Sequence, residues 1–178
     1  MCGIFGVVFG QDERIGADLA RSVIEKLYAC SQTRGSEAAG LTVHTGDSID
    51  VLKQAGTVES FLASPKYAEL LRRAIERFAA NRAGGSKTAL AMTGHTRLVT
   101  NGFQSNSDNN QPVIARGTVG IHNGIIVNDA ELWRRYPDLQ RKSEVDTEVL
   151  VSLVRRFHDE TGDLAKASVG IEPGQRAR

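Results

Sequence analysis

The sequence predicts an α+β fold of antiparallel strands and grouped helices, and three observations predict it. Two β-patterned runs, residues 39–45 and 49–54, are joined across TGDS, a turn-forming tetrapeptide that reads as a hairpin. Strand patterns come in consecutive groups and amphipathic helices in groups of their own, whereas a parallel doubly wound sheet needs alternation. The 178 residues hold no internal repeat and no long linker, which suits one domain with one core.

In chain order, Gly3 to Phe9 is β-branched and aromatic with interspersed glycines and predicts a buried strand with Cys2 at its head. Ala20, Val23, Ile24, Leu27 and Tyr28 then recur on one helical face, with Gly35 near the stop; Cys30 falls in this helix and is expected to be buried. After the hairpin, Ser64-Pro65 supplies an N-cap and a proline at the first helical position. Tyr67, Leu70, Leu71, Ala74, Ile75 and Phe78 trace the second helix, which AGGS ends. KTALAMTGHTR and GTVGIHNG read as two further strands. Between them NGFQSNSDNNQP is too polar to bury itself and reads as a surface loop, a natural lid. A short helix is expected from near Asn128. A longer one after Asp146 places Val149, Leu150, Leu153, Val154 and Phe157 on a single face. Residues 168–178 have no period and are expected to be loosely held, leaving 1–167 as the folded domain.

Lys and Arg number 22 against 21 Asp and Glu, a net charge of +1, and no basic stripe stands out. Neither nucleic acid nor an anionic membrane is invited electrostatically, and a small neutral or zwitterionic substrate fits better. The opening apolar run lacks a positive flank and a cleavage site, and no stretch of 18 apolar residues occurs, so the cytoplasm is the expected location. Cys2 and Cys30 match no zinc spacing, and a lone disulfide would be unusual in a reducing compartment. The four histidines give no ligand pair, so no metal and no cofactor is expected, and His95 and His122 read as structural.

Cys2 is the position that asks for chemistry. Removal of Met1, usual before a small side chain, would leave a thiol of pKa about 8.5 and an α-amine of about 7.7–8.0 on one residue: a nucleophile with its own base. Attack on an amide builds charge on the carbonyl oxygen, which needs fixed donors, and HNG at His122–Gly124 offers the Asn123 amide and the Gly124 N–H. Arg97 can fork both oxygens of a carboxylate, with the Thr100 hydroxyl and the following loop adding donors. Asp146 can accept an ammonium, and can equally cap the helix it precedes. Arg97 as a surface ion-pair group and Asn123 as a turn residue are ordinary alternatives. The conjunction of these residues carries the reading, not any one of them.

Six ordered segments, MCGIFGVV, RGSEAAGLTV, GHTRLVTNG, NNQPV, IHNGIIVND and SEVDTEVL, resemble the class II glutamine amidotransferases. The similarity is closest to the glutaminase domain of the glutamine:fructose-6-phosphate amidotransferases, with the amidophosphoribosyltransferases as near cousins. The resemblance implies an N-terminal nucleophile fold, an αββα sandwich of two antiparallel sheets, in which Cys2 attacks the side-chain amide of L-glutamine to give a glutamyl thioester and ammonia. It implies an oxyanion hole of Asn123 and Gly124, Arg97, Thr100 and Asn101 with Gly124 at the substrate, and Asp146 on the α-ammonium. Arg34-Gly35 would lie near the terminal amine, and the loop from Leu98 would fold over glutamine.

The chain also departs from the pattern. Leu98 stands where the synthases have a tryptophan that gates an ammonia channel, Asn101 where they have histidine, Ser36-Glu37 where a tyrosine or glutamine and an aspartate are usual, and Gln111 where they commonly have histidine. Relatives continue into further strands and an acceptor domain of sugar isomerase type. The chain is therefore expected to be either a fragment or a subunit whose sheets another chain or self-association completes, with exposed strand edges or a homo- or hetero-oligomer. Ammonia would pass to an acceptor, expected to be a sugar phosphate, on that other domain or subunit. The rival readings are an amidophosphoribosyltransferase-type glutaminase, a non-catalytic glutamine-binding or regulatory module of the same fold, and a hydrolase of another amide.

Overall fold

Alternation along the first strand sets up the whole molecule. In β1 (Gly3–Phe9) Phe5 and Phe9 are buried while Ile4 and Val8 are 45% and 67% exposed. The strand is covered on one face only and is not the buried strand the sequence predicts, because it lies at the sheet edge with period-two alternation. The structure is a computed structural model describing residues 2–10, 16–46, 48–86, 88–98 and 106–167, with side chains described through 162. The expected tail, 168–178, lies outside the described residues, as do Thr100 and Asn101.

Four strands form one antiparallel sheet: β1, β2 (Ala38–Thr45), β3 (Ser48–Ala55) and β4 (Leu90–Arg97), in the order β1-β4-β2-β3. The TGDS hairpin joins β2 to β3 in the register Thr45 opposite Ser48. One face carries Phe5, Phe9, Leu41, Val43, Leu90 and Met92 and is covered by α1 (Ala17–Ser31) and α3 (Pro65–Ala83). Ser64 caps α3 as its N-cap, its Oγ accepting from Tyr67 N at 3.2 Å. Fully burying each large side chain contributes about 1.5–3 kcal/mol. Tyr28 is the pivot of this core. It meets the Phe5 ring edge to face at 4.7 Å and donates its buried hydroxyl to Gly40 O at 2.7 Å. Burial pushes its phenol pKa well above the ordinary value, so it stays a donor.

A second unit follows. β5 (Val113–Ala115) and β6 (Thr118–Gly120) form a hairpin whose turn residues, Arg116 and Gly117, have φ of 51° and 78°, the doubly left-handed geometry of a tight two-residue turn. It packs on α5 (Thr147–Ala167), with Gly120 set against Val151: a Cβ at 120 would stand 2.5 Å from Val151 Cγ2. α4 (Asp129–Arg135) lies beside α5, over Leu139, Val149 and Leu153. The buried Glu148 carboxylate accepts from Ser143 N, Ser143 Oγ and Lys142 N at 2.7, 2.7 and 2.9 Å, tying down the loop ahead of α5.

Residues 106–112 connect the two units across the other face of the sheet. At Gly40 a Cβ would stand 2.0 Å from Gln111 O, so only glycine admits this approach. The mixed helices and antiparallel sheets are the α+β class the sequence predicts. β1 and β3 are the edge strands of this sheet. Among the described residues no helix is long and apolar enough to cross a membrane.

Several expectations differ in detail. The strand read into GTVGIHNG ends at Gly120, because from His122 onward the backbone bonds to a side chain, that of Gln111, instead of a neighbouring strand. The five-residue helix α2 (Val58–Leu62) and strand β5 are too short for a periodicity to reveal. Cys30 is exposed: Ala20, Ile24, Tyr28 and Ser31 form the buried face of α1, and Cys30 falls off that stripe. In α5 the buried face carries Val149, Val151, Ser152 and Leu153, while Leu150, Val154 and Phe157 are 39%, 52% and 45% exposed.

Candidate active site

The sheet register brings the start of β1 to the end of β4. Gly3 pairs with Thr96 and Ala38 with Arg97, so the chain leaving β4 at Arg97-Leu98 passes beside Cys2. There Leu98 N donates to Cys2 Sγ at 3.5 Å and the thiol faces Leu98 O at 3.6 Å. Gly35 is pressed against this peptide. A Cβ there would stand 2.4 Å from Arg97 C and 2.6 Å from Leu98 N, and Glu37 N donates to Arg97 O at 3.0 Å.

Asn123 reaches Cys2 from 121 residues away in sequence. Cys2 N donates to Asn123 Oδ1 at 3.2 Å, and Asn123 Nδ2 donates to Cys2 O at 2.9 Å. The amide thus pairs with both backbone groups of the residue, as an adjacent strand would, and holds its nitrogen and thiol in place. Gly124 lies under the His122 ring, where a Cβ would meet Nε2 at 2.6 Å.

Arg97 is 4% exposed, and its Nη1 donates to Asn110 Oδ1 at 2.6 Å. Burial lowers its pKa, opposed by the nearby Cys2 sulfur and the Glu37 carboxylate. Asp146 sits just before α5, but its Oδ2 accepts from Ile126 N at 2.6 Å, across to the strand of chain after Gly124. Its bonds to Ile126 N and Thr147 Oγ1 make it a cross-link between α5 and the HNG turn, not a simple helix cap. Burial pushes His95 down to about 4, with Arg97 adding to the shift, so its ring is neutral at pH 7; neither ring nitrogen has a hydrogen-bond partner among the described residues.

These side chains share one cleft of about 380 Å³, lined by Cys2, Arg97, Gln111, Asn123, Gly124 and Asp146, with Leu98, 41% exposed, at its wall. Five of the sequence-predicted site residues, Cys2, Arg97, Asn123, Gly124 and Asp146, are therefore brought together; Thr100 and Asn101 lie outside the described residues. A nucleophile, amide and backbone donors, a cation and an anion around a small cavity form a set suited to attack on an amide of an α-amino acid. Among the described residues no cluster of His, Cys, Asp or Glu could hold a metal ion.

The sequence reading missed the role of Asn109, Asn110 and Gln111, which it placed in a surface loop. Asn109 and Asn110 are 0% and 1% exposed. Asn109 donates to Glu144 Oε2 at 2.8 Å and accepts from Glu144 N at 2.9 Å, Asn110 holds Arg97, and Gln111 holds His122. A polar run is buried when every carboxamide finds its partner. Three consecutive amides ahead of a proline were the only signal in the sequence.

The family model described as a glutamine amidotransferase domain matches residues 95–170. Residues 95–170 thus carry the pattern of a glutamine amidotransferase domain. The chain is 31% identical over 163 residues to the glutamine–fructose-6-phosphate aminotransferase (isomerizing) of Shouchella clausii, covering 90% of this chain and 23% of that protein. The corresponding enzyme of Bacillus subtilis is 31% identical over 160 residues, 88% of this chain and 22% of that protein. That of Sulfolobus acidocaldarius is 28% identical over 160 residues, 88% and 24%. The chain thus spans less than a quarter of the length of the curated relatives it matches. Its family match runs from His95 in β4 through α5 and so includes Arg97, Asn123, Gly124 and Asp146 but not Cys2.

Proposed function

We propose that residues 1–167 act as a class II glutaminase domain of the N-terminal nucleophile type, hydrolysing L-glutamine to supply ammonia. The observation that carries the reading is the reciprocal pair of hydrogen bonds between Asn123 and Cys2, at the edge of the cleft that also holds Arg97 and Asp146. In this account the helices over the four-stranded sheet and the β5-β6 hairpin under α5 are the layers of an αββα sandwich.

With Met1 removed, the Cys2 nitrogen is an amine whose N–H is directed to Asn123 Oδ1, leaving its lone pair to take the thiol proton. The thiolate attacks the side-chain carbonyl of glutamine, forming the C–S bond. The charge that develops on the carbonyl oxygen is met by the second N–H of Asn123 Nδ2 and the Gly124 N–H. Collapse breaks the C–N bond, the ammonium of Cys2 returns its proton to the departing nitrogen, and ammonia leaves a glutamyl thioester. Water, deprotonated by the same amine, cleaves the thioester to glutamate and restores the thiol. Arg97 forks the α-carboxylate, with Thr100 and Asn101 beside it, and Asp146 receives the α-ammonium.

The relatives named for fructose-6-phosphate support a sugar phosphate as acceptor, bound on another domain or subunit. The test is glutamate release from glutamine by protein whose intact mass shows Met1 removed. Wild type turns over and Cys2→Ala does not. Analogue labelling of Cys2 without glutamate release would instead favour a glutamine-binding regulatory module, the reading that Leu98 at the cleft wall motivates.

A further inference from the structure

The turn that presents Asn123 and Gly124 has little structure of its own. β6 has ended at Gly120, and Asn123, Gly124 and Ile125 are all exposed. Exposed irregular backbone of this kind is ordinarily mobile, yet an oxyanion hole needs donors fixed in advance of the reaction. Something else must hold it.

Beyond it, Asp146 holds Ile126 N, and Asn123 itself pairs with Cys2; ahead of it the Gln111 side chain does the holding. Its Nε2 donates to His122 O at 2.8 Å and its Oε1 accepts from His122 N at 2.7 Å, so one carboxamide pairs with both backbone groups of the residue before Asn123, replacing the missing strand. A further Nε2 contact reaches Thr147 Oγ1, the first residue of α5, at 3.3 Å. The backbone of Gln111 is itself immobilised, pressed on Gly40 of the central strand β2 with no room for a side chain between, and Gly40 O is fixed in turn by Tyr28 Oη. A continuous line of contacts therefore runs from the buried core to the HNG turn.

We infer that Gln111 is the positioning residue of the oxyanion turn: its carboxamide transfers the rigidity of β2 to Asn123 and Gly124, and so acts on the transition state and not on glutamine binding. This rests on the glutaminase reading above. An interaction expressed only in the transition state lowers kcat and kcat/KM equally and leaves KM unchanged. Gln111 lies beside Asn110, which holds Arg97 and whose loss would be felt in glutamine binding.

The test compares Gln111→Met, which keeps length and removes both hydrogen bonds, with Gln111→Glu, which keeps the acceptor for His122 N–H and loses the donor to His122 O. Glutaminase kinetics are measured with the rate of Cys2 alkylation by iodoacetamide, which reports the thiol without needing an oxyanion hole. Gln111→Met is expected to lower kcat by about 10²-fold, the scale of a displaced oxyanion donor, with KM within about twofold and unchanged alkylation. Gln111→Glu should fall between it and wild type, and serves alone if Gln111→Met does not fold. Wild-type kcat in either folded variant, or a rise in KM or change in alkylation that accounts for the loss, overturns the inference while leaving the glutaminase reading intact. A wild-type chain that lacks Met1 and hydrolyses no glutamine overturns that reading and this inference with it.

Discussion

Gly35→Ala tests the geometry around Cys2 with the smallest possible change. Gly35 has φ −177°, an extended conformation open to any residue, so alanine brings no backbone strain. It brings a collision. The new methyl carbon would stand 2.4 Å from Arg97 C, 2.6 Å from Leu98 N and 2.7 Å from Arg97 O. Unbonded carbon atoms rest at about 3.5–4.0 Å, so the Arg97-Leu98 peptide must retreat by about 1 Å. All three atoms belong to the backbone, and none can rotate away. That peptide carries the guanidinium and the Leu98 N–H bonded to Cys2 Sγ, so both ends of the reacting arrangement move together. Overpacking costs about 1–3 kcal/mol of stability, and a misplacement of about 1 Å costs about 10²-fold in rate. The assay is glutamate release beside thermal unfolding, with Gly10→Ala as control because nothing among the described residues lies within 4 Å of a Cβ there. Gly35→Ala with wild-type kcat/KM and wild-type Tm would refute the packing argument.

Other outcomes follow from the same structure. Arg97→Lys keeps the charge but cannot fork two carboxylate oxygens, and should raise KM for glutamine by at least about tenfold with a smaller effect on kcat; steady-state kinetics decide it. Tyr28→Phe leaves Gly40 O buried without its 2.7 Å partner and should cost about 1–3 kcal/mol in urea unfolding. The His95 ring, buried and beside Arg97, should titrate near its shifted value of about 4 when followed by NMR, and a midpoint at 6 or above would contradict its placement. Because that pKa lies below the unfolded value of about 6.5, the unfolded chain takes up a proton first. Stability is therefore expected to fall as pH drops from about 6.5 toward 4, by up to about 3 kcal/mol from this group.

What the sequence could reveal divides along physical lines. Local signals were sufficient where one stretch decides its own structure: the β-branched and aromatic run of β1, the TGDS hairpin, and Ser64-Pro65 at the head of α3. Cys2, Arg97, Asn123, Gly124 and Asp146 were singled out for the amide chemistry their groups could do, and the fold places them around one cleft. Gln111 was hidden for the opposite reason. Its partners, His122 and Thr147, lie 11 and 36 residues away, and a carboxamide in a polar run looks the same whether it meets water or backbone. The α5 stripe misled for a related reason: periodicity marks apolar positions but cannot tell which are covered, and Leu150, Val154 and Phe157 are left outside.

The central claim is that one residue supplies both nucleophile and base. The most direct measurement is intact-mass and peptide mapping after treatment with a diazoketone analogue of glutamine, on protein with and without Met1. The account predicts a single adduct on the Cys2 sulfur of the processed chain, suppressed by excess glutamine, and none where Met1 remains. An adduct formed equally well on both forms, or carried by Cys30 while Cys2 stays unmodified, would contradict it.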